Sequence, residues 1–118
     1  MATEYHAYGQ HVILDIYGVA DLLTKPQAIE KIMLDVAKQL NATVIQSHFH
    51  HFGVDQGVTG VLLLAESHMS IHTWPETGFA AIDIFMCGDV IMDEAIQLFI
   101  QEFTPTQYDV KIIHRGKS

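Results

Sequence analysis

From Ile29 to Leu40 the apolar residues keep one spacing: Ile29, Ile32, Met33, Val36, Ala37 and Leu40, or i, i+3, i+4, i+7, i+8 and i+11. A helix written this way has a single apolar stripe, and it persists only where that stripe is covered. Met92, Ala95, Ile96, Phe99, Ile100 and Phe103 form a second one-faced run. The stretches between and around them are short and rich in β-formers. Two such helices and a set of strands admit few arrangements. The expected fold class is α+β: a two-layer α/β sandwich, with a mainly antiparallel sheet and both helices packed on one face.

Local signals place the elements. His11–Tyr17 reads as a first strand, ended by Gly18. Thr24 is expected to cap the first helix, with Gln27 completing a capping box, Pro26 tolerated in the first turn and Asn41 as the stop. Strands follow at 42–52 and 58–65; the second is apolar on both faces and is expected to be central. Ser70–Trp74 reads as a short strand, 75–78 as a turn, and Phe79–Met86 as a further strand. Asp89 or Asp93 should cap the second helix, Thr104-Pro105 should close it, and Gln107–His114 makes the last strand. There is no repeat, linker or low-complexity tract, so 1–118 is expected to be a single domain.

Composition removes several classes of function. Hydrophobic residues make up 49% and charged residues 17%, which is globular rather than disordered. No run approaches the ~18 apolar residues of a membrane span, and the N-terminus lacks the features of a signal peptide, so a cytoplasmic protein with no membrane partner is expected. The net charge is −8 with only six Lys and Arg, which argues against nucleic acid and suits a cationic ligand. Cys87 is the sole cysteine, so it is inert core, a reactive thiol or part of a contact between chains.

Reactive groups gather in Ala65-Glu-Ser-His-Met-Ser-Ile-His-Thr-Trp-Pro-Glu76. His68 and His72 would share a helix face and bind a metal, but the segment reads as extended, which sets them roughly 13 Å apart; no metal is expected. The histidines at 48, 50 and 51 read as strand positions. Ser67 and His72 could form a hydrolytic dyad, although the Gly-x-Ser-x-Gly elbow is missing. A third route is an acyl shift, in which Ser67 attacks the carbonyl of its own preceding peptide. His72 would be the base and the Thr59 hydroxyl a donor to the oxyanion. The pattern of residues leaves hydrolysis and acyl shift both open.

Glu66-Ser67-His68, then Ser70-Ile71-His72-Thr73-Trp74-Pro75-Glu76, then Phe85-Met86-Cys87-Gly88, resembles the bacterial and archaeal S-adenosylmethionine decarboxylase proenzymes. The likeness extends along the chain: its length, the Phe49-His-His-Phe52 segment and the Gly57-Val-Thr-Gly60 turn all match. The resemblance implies self-cleavage between Glu66 and Ser67, giving a β chain 1–66 and an α chain 67–118. Ser67 would become a pyruvoyl group, with no metal and no pyridoxal phosphate. This group would form a Schiff base with the substrate amine and act as the electron sink for decarboxylation. His72 would take the Ser67 Cα proton during processing, assisted by Thr59, and Cys87 would protonate the product carbon. Substrate binding falls to Phe52, or else Phe49, stacked on adenine, to Glu76 on the ribose hydroxyls, and to His68. The implied partners are S-adenosylmethionine and a second copy, as a homodimer of αβ units with its sites near the interface. The product would feed spermidine biosynthesis.

Two segments depart from the family pattern. Thr77 stands where Tyr is usual, and the 53–57 loop differs in length and composition. They leave two alternatives: a pyruvoyl decarboxylase of another cationic amino acid such as ornithine or arginine, and an uncleaved homologue that binds a ligand or regulates an active partner.

Overall fold

The computed structural model describes residues 8–88 and 90–116; Asp89, one of the two expected helix caps, lies outside them. The elements run β1 (Gly9–Tyr17), α1 (Pro26–Gln39), β2 (Val44–His51), β3 (Val58–Leu64), β4 (Ser67–Trp74), β5 (Phe79–Cys87), α2 (Asp93–Phe103) and β6 (Gln107–Arg115). All strand pairs are antiparallel and form one sheet in the order β2-β3-β4-β5-β1-β6. The α+β architecture expected from the two one-faced helices is the one observed.

Both helices turn their stripes to the sheet. Ile29, Met33 and Val36 of α1 and Phe99 and Phe103 of α2 meet Val12, Leu14 and Ile16 of β1, Met69 and Ile71 of β4 and Ile82 and Ile84 of β5 in one buried cluster. Each such side chain contributes about 1.5–3 kcal/mol on full burial. Thr73 is one of three buried polar residues among the described residues, with Gln10 and Ser67. The Thr73 hydroxyl accepts from the Val58 amide at 2.8 Å and donates to the Leu23 carbonyl at 2.8 Å, tying β3 and β4 to the 3-10 turn at Leu22–Thr24.

Several expectations are corrected. The first helix is capped by Lys25 with no side-chain bond, not by a Thr24 box. Pro26 takes the first helical position and pushes the residue before it out of the helical region (Lys25 φ −115, ψ 89), so Thr24 stands one residue too early. In α2 the cap is the buried Met92, and Asp93 is the first helical residue. There, with Glu94, it complements the positive end of the helix dipole. Asn41, expected as a stop, does take the left-handed conformation (φ 57) just past α1. β4 is longer than expected: two turn residues, Ala65 and Glu66, suffice to reverse the chain, and Ser67 pairs directly with Leu64.

β3 is second from the edge rather than central. Its apolar residues do divide between two faces, but only Val58, Leu62 and Leu64 are buried. Val61 and Leu63 project from the other face of the sheet, where 37% and 45% of their surface stays accessible. Among the described residues that face has no helix on it, and it also carries His68, Ser70, His72 and Trp74 from β4.

Candidate active site

The site residues fall into two groups at opposite ends of β4. The first is the turn that joins β3 to β4. Glu66 occupies its second central position with φ 63, a left-handed conformation ordinarily left to Gly or Asn and costing about 1–2 kcal/mol for other residues. The next residue is Ser67, 9% exposed. Both sides of the Glu66–Ser67 peptide bond are held by one residue at the end of β5. The Cys87 amide donates to Ser67 Oγ at 3.2 Å, and the Cys87 thiol donates to the Glu66 carbonyl oxygen at 2.7 Å. A strained peptide bond whose carbonyl is polarised by a donor, beside a hydroxyl, is arranged for attack of Ser67 Oγ on the Glu66 carbonyl carbon.

The second group lies on the open face. His50, Thr59 and His72 stand in one row across β2, β3 and β4. Thr59 Oγ1 is 3.2 Å from His72 Nδ1. Next to this row is a recess of about 260 Å³ lined by Phe52, Gln56, Gly57, Thr59, His72, Trp74 and Glu76, with Thr73 behind. Phe52 is exposed and carries the His50 ring edge-on at 4.6 Å. Phe49 is turned the other way. Its ring lies over Gly60, where a Cβ would come within 2.1 Å of it, so Phe49 belongs to the helix side and not to the recess.

The expected residues are therefore not gathered in one place. Ser67 and His72 are five apart on one strand. An odd separation sends them to opposite faces, and the distance along the strand is roughly 16 Å. His72 of the same chain cannot reach the Ser67 Cα proton. His68 stands on the open face near the turn, stacked on Phe85 at 5.8 Å, and is not part of the recess. Thr77 bonds back to the Trp74 carbonyl within its turn and does not line the recess, whereas Gln56 and Gly57 of the unusual loop do.

Trp74 is the residue that motif reading did not assign. It begins an aromatic row, stacking on Phe79 at 5.1 Å, which stacks on Tyr17 at 5.2 Å. The signal was present: Trp74 is two residues after His72, and strand alternation puts both on one face. Burial, and then the Asp15 and Asp109 carboxylates, push the Tyr17 phenol up, so Tyr17 stays neutral. Closer to the turn, Asp83 accepts from Ser70 at 3.3 Å and pairs with His11 at 3.0 Å. No group of His, Cys, Asp and Glu among the described residues is placed to hold a metal ion. A depression of about 420 Å³ between α1 and α2, lined by Gln39, Asp93, Glu94, Gln97, Leu98 and Gln101, includes none of these groups.

Fold and site together define a class: a two-layer α+β protein whose central hairpin presents a strained Glu-Ser peptide bond to a cysteine. Comparison with known proteins makes the assignment. A model of the S-adenosylmethionine decarboxylase family matches residues 10–116, and the chain belongs to that family. It is 40% identical to the S-adenosylmethionine decarboxylase proenzyme of Archaeoglobus fulgidus, over 92% of this chain and 97% of that protein. With the Methanococcus maripaludis proenzyme the identity is 44%, over 92% and 89%. The crystal structure of the adenosylmethionine decarboxylase from Aquifex aeolicus superposes with a TM-score of 0.84 at 37% identity, covering 93% of this chain and 92% of that one. A Trypanosoma brucei AdoMetDC monomer shares the fold at 16% identity and a TM-score of 0.61, with this chain spanning 45% of it.

Proposed function

We propose that this protein is a self-processing decarboxylase of S-adenosylmethionine that uses a pyruvoyl group made from Ser67. The observation that carries the reading is the Glu66–Ser67 turn, left-handed at Glu66 and held on both sides by Cys87. Ser67 Oγ adds to the Glu66 carbonyl carbon, and the thiol of Cys87 supports the charge on the oxygen. The C–N bond then breaks, leaving an ester between Glu66 and Ser67 Oγ. Removal of the Ser67 Cα proton by His72 expels the Glu66 carboxylate and leaves dehydroalanine. Water replaces its nitrogen as ammonia, giving the β chain 1–66 and an α chain beginning at residue 67.

The residues present fit such a group. Position 67 is enclosed, its oxygen faces a backbone amide, and a thiol lies beside the carbonyl. A pyruvoyl group supplies an electrophilic carbonyl that takes up the electron pair left when CO2 departs. Cys87 Sγ then returns a proton to the substrate α-carbon. Phe52 and Trp74 offer aromatic faces to the adenine and the sulfonium, and Glu76 offers its carboxylate to the ribose hydroxyls.

The working unit is a homodimer that pairs the open faces of two sheets. One chain presents the turn, and the other presents His72, Thr59 and the recess. Three features support this. Ser67 and His72 of one chain are five residues apart on β4, roughly 16 Å. The recess, at about 260 Å³, is below the ~300–1,000 Å³ of ordinary ligand sites and needs a second wall. Val61, Leu63 and Trp74 stay exposed in the single chain and would be covered.

Intact mass under denaturing conditions tests the processing. Two species dividing after Glu66, with the α chain lacking its serine nitrogen, is the expected result. A single chain that never divides, or division elsewhere, overturns it. Release of CO2 from carboxyl-labelled S-adenosylmethionine then tests the substrate, with ornithine and arginine as controls.

A further inference from the structure

We propose that the main-chain carboxylate created on Glu66 by self-cleavage is a positioning group of the cleaved protein: Cys87 holds it, and its charge keeps the Cys87 thiol protonated for its task as proton donor. The inference rests on the self-processing reading and adds a group that no side chain supplies. The atom balance of cleavage decides which oxygens this carboxylate carries. Attack by Ser67 Oγ forms a bond to the Glu66 carbonyl carbon, and loss of the C–N bond leaves the ester. Removal of the Ser67 Cα proton then breaks the bond between Ser67 Cβ and Oγ, and the electron pair leaves with Oγ. The carboxylate therefore holds the old Glu66 carbonyl oxygen and the former Ser67 Oγ. These are the two atoms that Cys87 already addresses, the first with its thiol at 2.7 Å and the second with its amide at 3.2 Å. The same two donors then meet an ionised acceptor, to which hydrogen bonds are stronger.

Both partners are anchored by contacts that do not involve the scissile bond. Leu64 is 1% exposed, and the Ala65 amide donates to the Thr43 carbonyl at 2.9 Å, so only Glu66 extends past the fixed end of the β chain. Cys87 follows the buried Met86 and pairs with Gly9 of β1, and the Gly88 amide donates to the Tyr8 carbonyl at 3.1 Å.

Cleavage changes the charge at this point. Hydrolysis of an ordinary peptide bond leaves an amine beside the new carboxylate. Here the nitrogen of residue 67 departs as ammonia, so the new charge is uncompensated and adds to the −8 of the chain. A like charge within ~4–6 Å disfavours ionisation of an acid. The thiol that donated to a neutral carbonyl before cleavage donates to an anion after it, and it keeps its proton to higher pH. That suits a group whose task is to protonate carbon. After each donation the thiolate stands beside the carboxylate, and the repulsion drives it to take a proton back from water.

Thiol reactivity tests this, because the thiolate is the form that alkylates and Cys87 is the sole cysteine and exposed. The His72→Ala chain, which lacks the base for elimination, is used as its ester. Hydroxylamine converts Glu66 of the ester to a neutral hydroxamic acid; mild alkali hydrolyses it to the carboxylate. Both products retain Ser67 with a free amine, so they differ beside Cys87 in one charge. Intact mass identifies each product, and thermal melts check that both are folded. Alkylation by iodoacetamide is then followed across a pH series. Near neutral pH the carboxylate form should react about tenfold more slowly, with its rate profile displaced to higher pH. The same difference should persist with Glu66→Gln added, because the carboxylate belongs to the main chain. Equal rates in the two forms at every pH, or a difference that disappears with the Glu66 side chain, overturn the proposal and leave the processing scheme standing. Failure of hydroxylamine to divide the His72→Ala chain after Glu66 counts against the scheme itself and removes this proposal with it.

Discussion

If one chain presents Ser67 and the other His72, two defective chains should repair each other. Ser67→Ala lacks the attacking oxygen, and His72→Ala lacks the base; expressed alone, each should remain a full-length chain. Co-expressed, they form mixed dimers. One site of a mixed dimer joins Ser67 of the His72→Ala chain to His72 of the Ser67→Ala chain and is complete; the other site lacks both. With random pairing about half of the His72→Ala chains sit in mixed dimers, so about half of them should cleave, and none of the Ser67→Ala chains. The basis is geometric. The five-residue separation along β4 places the two side chains on opposite faces and roughly 16 Å apart, beyond any rotamer change. Denaturing mass spectrometry distinguishes the two chains by their substitutions and gives the cleaved fraction of each. If neither chain cleaves in the mixture while the wild type does, the site is not shared and the base must come from elsewhere in the same chain.

Other perturbations follow from the same geometry. Cys87→Ala removes the thiol from the Glu66 carbonyl, so self-cleavage in a time course should slow about tenfold to a hundredfold, less than for loss of a strong oxyanion donor, and turnover should be lost as well. Glu66→Gly relieves the left-handed strain at the scissile bond, worth about 1–2 kcal/mol; the precursor should melt higher and cleave more slowly, and faster cleavage would count against a role for strain. Thr73→Val leaves the buried Val58 amide without its acceptor and should cost about 1–3 kcal/mol in denaturant unfolding. Trp74→Ala removes one aromatic wall of the recess and should raise KM for S-adenosylmethionine about tenfold, as read from steady-state kinetics on the cleaved enzyme.

The residues that carry local signals were legible along the chain. The 3.6-residue spacing from Ile29 to Leu40 named α1 and its buried face, and the same spacing from Met92 to Phe103 named α2. Together they required a sheet with one covered face, which is why the architecture is legible in the chain. Ser67, His72 and Thr59 could be singled out as reactive groups from the residues alone, whereas Cys87 took a role only from the resemblance to the decarboxylase family. Helix starts were less legible. Thr24 has the chemistry of a cap, but Pro26 fixes where the helix begins, and the cap falls on Lys25.

Tertiary structure decided what depends on pairing between distant strands. An apolar run such as Val58–Leu64 looks central by composition, yet strand order places it beside the edge, and the residues on its second face stay exposed for another surface to cover. Nothing local distinguishes those cases, since hydrophobicity records that a residue is to be buried and not by what. The same limit applies to chemistry. Ser67 and His72 read as partners because they are neighbours in the chain. Only the register of β4, started by the two-residue turn at Ala65-Glu66, turns them to opposite faces and brings Cys87, twenty residues from Ser67, onto the bond between Glu66 and Ser67.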